Sequence, residues 1–314
     1  MSSKRETHRA DLRPLLLAAL ASPGLLPPAE FDMARFHLSA QQSKHLLDPD
    51  ISALEDYLID HSALPGRRAN LELVWAFADE IGALCADPAV SLNQSYIAAE
   101  WLLWRLLNRH PSALFGDDPD SPLQMPQLCG VVAYGEWAVR FRHIESGVAL
   151  LLEHGGSPLW RVREGVAMGL QRMLAHNWRS TVRRLRRASQ DAGPLQWRAL
   201  VAGVAEPDLL QPDTASGTTH TLDALDLHYR ALAYLRRLRP ETRRTDPVRT
   251  LRKALGYTVS VVVTAAPEAG FAQMRAWAAW DDPDVTWVIR ENLKKKRLAP
   301  WPDEVNALHE VVAQ

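Results

Sequence analysis

Apolar side chains recur at steps of three and four residues along most of the chain. Leu71, Val74, Trp75, Ala78, Ile81 and Cys85 follow that spacing, as do Val162, Val166, Leu170 and Leu174, and each set lies on one face of an α-helix. Alternation with a period of two, the mark of a half-buried strand, is almost absent. The one β-branched run, YTVSVVVTAA at 257–266, continues directly from VRTLRKALG and reads as the buried end of a helix. Short breaks fall at helix-length intervals: SPG at 22–24, LPG at 64–66, HGGSP at 154–158, DAGP at 191–194 and DDPD at 281–284. Longer interruptions at 110–126 and 206–220 are expected to be functional or mobile loops, the first marking a soft domain boundary. After LPG, Asn70 is placed to cap a helix, with Gly66, Arg67 and Arg68 just before it. Gly165 and Gly169 sit inside a helical run, where small residues permit close packing. The fold class is therefore all-α.

A phrase also repeats. SPLWRVREGVAMGL at 157–170 and DVTWVIRENLKKKRL at 284–298 both contain Trp-x-x-Arg-Glu, and Trp160 and Trp287 are 127 residues apart. That is roughly three periods of the 40-odd residues of a two-helix repeat unit. Trp197-Arg198 and Val248-Arg249 fall between them. A Pro- or Asp-containing turn, an aromatic residue or Val, an Arg and then a Leu/Ala-rich helix resembles HEAT repeats, over residues 150–314. The resemblance implies an α-solenoid, a right-handed superhelix of about seven helical pairs. An N-terminal helical region at 1–110 and a repeat region with a basic surface at 127–314 would form one continuous superhelix. Within that superfamily the chain is distantly similar to the bacterial alkylpurine DNA glycosylases. The similarity implies a chemistry in which aromatic faces hold a cationic base while a carboxylate stabilises the sugar cation. Trp277, Trp280 and Asp281 form the nearest local combination, without the surrounding motif.

The net charge of -1 conceals a polarity. Residues 1–160 carry 12 Lys/Arg against 20 Asp/Glu, and residues 161–314 carry 24 against 17. A basic second half makes DNA or another polyanion a plausible partner. The sharpest feature is WRSTVRRLRRASQ: Arg179, Arg183 and Arg186 or Arg187 recur along one side of a helix, with Val182 and Leu185 on the buried side. Such a stripe suits a row of phosphates. Further basic segments lie at 234–253 and 291–298. Arg163 with Glu164 and Arg290 with Glu291 face either a concave binding surface or, as ties, the acids of adjacent units. Trp160, Trp197 and Trp287 are expected to pack between units.

Several classes fall away. Cys85 and Cys129 are far apart with no ligands at metal spacing, so neither a disulfide framework nor a metal site is expected. His220, Asp223, Asp226 and His228 in HTLDALDLH match no metal signature. No HExxH pair, Gly-rich phosphate loop, GxSxG elbow or dinucleotide fingerprint occurs, and no cofactor is implied. Lys4, Arg5, Arg9 and Arg13 before LLLAALA loosely imitate an export signal, but Glu6 and Asp11 dilute it. No stretch reaches the roughly 18 apolar residues that span a bilayer, so a cytoplasmic protein without a membrane partner is expected. The sequence thus points to recognition of an extended acidic partner, nucleic acid or an acidic protein segment, on a basic concave surface. The alternatives are a glycosylase of alkylated DNA and a protein-interaction scaffold.

Overall fold

A computed structural model describes residues 3–22, 49–108, 118, 120–210 and 215–313. Every regular element among them is helical, with no strand. The helices are α1 Lys4–Ala21, α2 Pro49–Asp60, α3 Leu71–Ala86, α4 Ala99–Leu107, α5 Met125–Arg140, α6 Ile144–His154, α7 Trp160–His176 and α8 Trp178–Ala188. They continue as α9 Pro194–Val204, α10 Ala215–Arg237, α11 Pro240–Arg243, α12 Asp246–Ala265, α13 Pro267–Ala278, α14 Pro283–Leu293 and α15 Pro302–Ala313. Two compact units result, Met1–Met173 and Leu174–Gln314, dividing near the end of α7. Among the described residues no helix is long and apolar enough to cross a membrane.

Sequence punctuation sets the helix starts. Asn70 caps α3 by accepting from the Leu73 N–H at 3.3 Å, Asn177 caps α8 through Ser180 at 3.1 Å, and Asp282 caps α14 through Asp284 and Val285. Pro194, Pro247 and Pro283 occupy first-turn positions, where the missing N–H costs nothing. The interruption at 206–220 is shorter than its composition suggests. Residues 207–209 form a 3-10 turn and α10 is already helical from Ala215; residues 211–214 lie outside the described residues. At 110–126 the described part contains a 3-10 turn at 122–124 leading into α5, and 109–117 and 119 are outside.

In the first unit α3 and α5 form the centre, flanked by α1, α2 and α4. Residues 125–139 of α5 are all buried. The α3 core face is Leu73, Val74, Phe77 and Ile81, so Leu71, expected in the apolar stripe, stands 48% exposed. Packing on both α1 and α5 turns the buried sector away from it. Two helices meet closely where Gly135 of α5 faces Gly169 of α7: a Cβ on Gly135 would lie 2.2 Å from the Gly169 carbonyl oxygen. Two buried acids hold the surrounding helices. Glu80 accepts from Arg9 and Arg13, one turn apart on α1, and Glu136 from Arg140 at 2.9 Å and Arg172 at 3.5 Å.

In the second unit α12 is central, packed on α9, α10 and α14. The 257–266 run is helical to Ala265, as its pattern predicts. Its β-branched side chains Val259, Val261, Val262 and Val263 are buried, so packing outweighs their modest helix propensity. Two polar residues knit this core. Asn292 donates to the Leu255 and Val288 carbonyls and accepts from the Ser260 N–H. His228, fully buried, bonds the Ala224 carbonyl through Nδ1 at 2.7 Å and the Thr258 hydroxyl through Nε2 at 2.9 Å. Donation from Nδ1 leaves Nε2 to accept from the hydroxyl.

Candidate functional site

The α8 sequence alternates arginine and apolar positions at helical spacing, so one side buries and the other carries charge. Trp178, Thr181, Val182 and Leu185 are buried, while Arg179, Arg183 and Arg187 are exposed. Opposite lies α10, whose Thr219, Asp223, Asp226, Arg230, Ala233 and Arg237 follow steps of three and four residues and so share one side. One hollow lies between the two helices, and a second follows it along α10, against the turn after α8 and Trp197 of α9. The first, of about 510 Å³, is lined by Arg179, Arg183, Trp178 and His220 among others. The second, of about 420 Å³, is lined by Trp197, Tyr229, Tyr234 and Arg237 among others.

Arg186 borders the first hollow and fixes the helices to each other. Its Nη2 donates to Asp223 Oδ1 and its Nε to Asp226 Oδ2, both at 2.8 Å. Asp226, which lines the second hollow, also accepts from Arg230 at 3.0 Å. Trp178 stacks on His220 with centroids 4.0 Å apart and planes inclined by 17°, and its Nε1–H donates to Asp223 Oδ2 at 2.8 Å. His220 Nδ1 is held by the Leu209 carbonyl at 2.8 Å. The walls are thus pinned in place, which lowers the ordering cost of binding. Arg179 and Arg183, one turn apart on the rim, have no hydrogen-bond or ion-pair partner among the described residues. They are free to receive an anion.

The remaining sequence candidates go elsewhere. Arg187 is exposed on α8 outside the cleft lining. Arg163 donates to the Ser157 and Pro158 carbonyls at 2.6 and 3.0 Å, bracing the turn before its own helix. Arg290 donates to the Val312 carbonyl, tying α14 to α15. The two copies of Trp-x-x-Arg-Glu also differ in register: Trp160 is the first residue of α7, whereas Trp287 is the fifth of α14, because Asp282-Pro283 starts α14 earlier. Trp160 is 42% exposed and Trp197 buried; Trp287 covers Gly256, where a Cβ would lie 3.0 Å from its ring.

Trp277, Trp280 and Asp281 do not form one patch. Trp277 is 1% exposed and belongs to the core. Trp280 packs edge-on against Tyr229 at 5.5 Å and under Arg236 at 5.4 Å, and Asp281 is exposed in the left-handed turn that ends α13. In the basic segment 234–253, Arg243 pairs with Asp282 and Asp284, Arg252 with Asp284 and Arg249 with Asp246. At 291–298, Lys294 pairs with Glu291 and Arg297 lies over Tyr257. His220, Asp223, Asp226 and His228 serve the contacts described above, and no group of three metal-ligating side chains occurs among the described residues. Cys85 and Cys129 are free thiols. Trp178 opens the α8 run itself, whereas Tyr229 and Tyr234 lie beside the α10 stripe and outside its spacing, so the pattern of the sequence carries no signal for them.

No protein-family model, curated protein or solved structure matches the chain.

Proposed function

We propose that the protein binds an extended polyanion along the α8–α10 cleft, and that the polyanion is single-stranded nucleic acid. The observation that carries this reading is the Arg179 and Arg183 pair, exposed, one helical turn apart and free of partners among the described residues, on a cleft walled by aromatic rings. Guanidiniums at that spacing suit successive phosphate oxygens. From Thr219 to Arg237 the α10 stripe runs about 27 Å at 1.5 Å per residue. Arg237, likewise free of partners among the described residues, stands at the second hollow.

Aromatic side chains decide between strand types. Tyr229, 45% exposed, and Tyr234 line the second hollow with Arg237, and the two hollows meet at the Arg186–Asp226 pair. Base stacking on such rings contributes about 1–3 kcal/mol per base, and needs unpaired bases. An acidic protein segment would use the arginines and leave the rings idle. Asp223 and Asp226 are held by arginines, so the reading is one of binding without catalysis. A HEAT-like stack is a suitable scaffold for this, and the cytoplasm a suitable place.

The test is anisotropy of a labelled single-stranded oligonucleotide, its duplex and a polyglutamate peptide, at low and physiological salt. The single strand should bind tightest, with affinity falling steeply in salt, and R179E/R183E should abolish binding. Tightest binding to the peptide would transfer the cleft to an acidic protein partner.

A further inference from the structure

A second cavity, wholly within the first unit, has different chemistry. About 390 Å³ opens between the segment leading into α3 and the N-terminal turns of α7. Its apolar wall is Leu71, Leu128, Trp160 and Met168, and Arg67 and Arg68 join the lining from the segment before α3. Leu71 and Trp160 are among the few large apolar side chains left exposed in the described residues, and both face this one cavity. Scattered exposed apolar residues need no explanation, but a pair converging on a hollow marks a ligand surface.

The wall is built rather than incidental. Arg161, almost wholly buried, lies 4.4 Å from the centroid of the Trp160 ring. It donates to the Gly66 carbonyl at 2.8 Å and to Asp120 at 2.9 Å. One guanidinium therefore fixes both the indole and the backbone that carries Arg67 and Arg68. Those two arginines are exposed and have no hydrogen-bond or ion-pair partner among the described residues. Glu164 is the only carboxylate among the lining residues, and Asp120 answers Arg161, so the cavity retains a positive excess.

We propose that this cavity binds a small amphipathic anion, with an aromatic or branched apolar body against Leu71 and Trp160 and one acidic group on Arg67 and Arg68. Its volume suits a ligand at the small end of the usual range. Arg161 is buried and paired with Asp120, so the exposed cations of the lining come from the segment before α3, and a wall this apolar disfavours a nucleic-acid strand here. The inference is independent of the α8–α10 reading, because the two sites share no residue and lie in different units.

The probes are anilinonaphthalene sulfonate, an apolar body with one sulfonate, and N-phenylnaphthylamine, the same body without the charge. The sulfonate should saturate one site at least about tenfold more tightly than the uncharged probe. R67E/R68E should abolish that preference while leaving the uncharged probe within about twofold. Leu71→Asp should weaken both; at the first position of α3 an acid suits the helix, so folding survives, as circular dichroism will confirm. R179E/R183E should change neither. Equal affinity for the two probes, or sulfonate binding unaltered by R67E/R68E, overturns the proposal. If the oligonucleotide test fails while the probe preference holds, only the α8–α10 reading falls.

Discussion

Trp178 lies flat on His220, ring centroids 4.0 Å apart. The stack does more than fill space, since it also aims the Trp178 Nε1–H at Asp223 and so positions the carboxylate that Arg186 grips.

Trp178→Phe should keep a ring on His220 and lose the donor to Asp223, lowering the stability of the second unit by about 1 kcal/mol. Trp178→Ala removes the stack as well and should cost about 3 kcal/mol or more. Urea unfolding of the two variants separates hydrogen bond from packing; equal losses would contradict that division.

Asp223 places a negative charge inside the cleft. Asp223→Asn retains an acceptor for Trp178, and Arg186 keeps Asp226. The oligonucleotide should then bind several-fold more tightly, with a small loss of melting temperature. Weaker binding would show that Asp223 matters chiefly by orienting Arg186.

Gly135→Ala puts a methyl group 2.2 Å from the Gly169 carbonyl oxygen. Backbone, not a flexible side chain, stands in the way, so α5 and α7 must move apart. We expect a loss of about 3 kcal/mol or more in the first unit, with the second unit little affected. Calorimetry resolving the two transitions checks both halves of that expectation.

Burial lowers the pKa of His228 from its ordinary value of 6.5 to about 4, against a raising contribution from its bond to the Ala224 carbonyl. Between those values the unfolded chain binds the proton and the folded one does not. Stability from this group is therefore complete above about pH 6.5 and lost as pH falls toward 4, by about 3 kcal/mol in all. His8 and His154 are shifted in the same direction by burial and add to the slope. Unfolding free energies at pH 5 and 7 should differ less in His228→Asn than in the native protein.

The helical class was legible because periodicity alone encodes it. Val162, Val166, Leu170 and Leu174 are all buried, and Asn70 caps as its position implies. What periodicity cannot carry is the neighbour. Leu71 fits the α3 stripe yet is exposed, since α1 and α5 together choose Leu73 and Phe77 instead. The basic runs show the same limit. Arg179, Arg183 and Arg243 look alike in the sequence, but Arg243 meets Asp282 and Asp284 brought from a turn 39 residues away, while the other two meet none among the described residues. Trp277 and Trp280, three residues apart, divide between core and surface because α13 ends between them at Ala278.

The measurement that bears most directly on the central claim is the salt dependence of single-stranded oligonucleotide binding, for the native protein and for R179E/R183E. The cleft reading predicts a steep linear fall of log affinity with log salt in the native protein, and no saturable binding in the variant. Indistinguishable curves for the two proteins would contradict it.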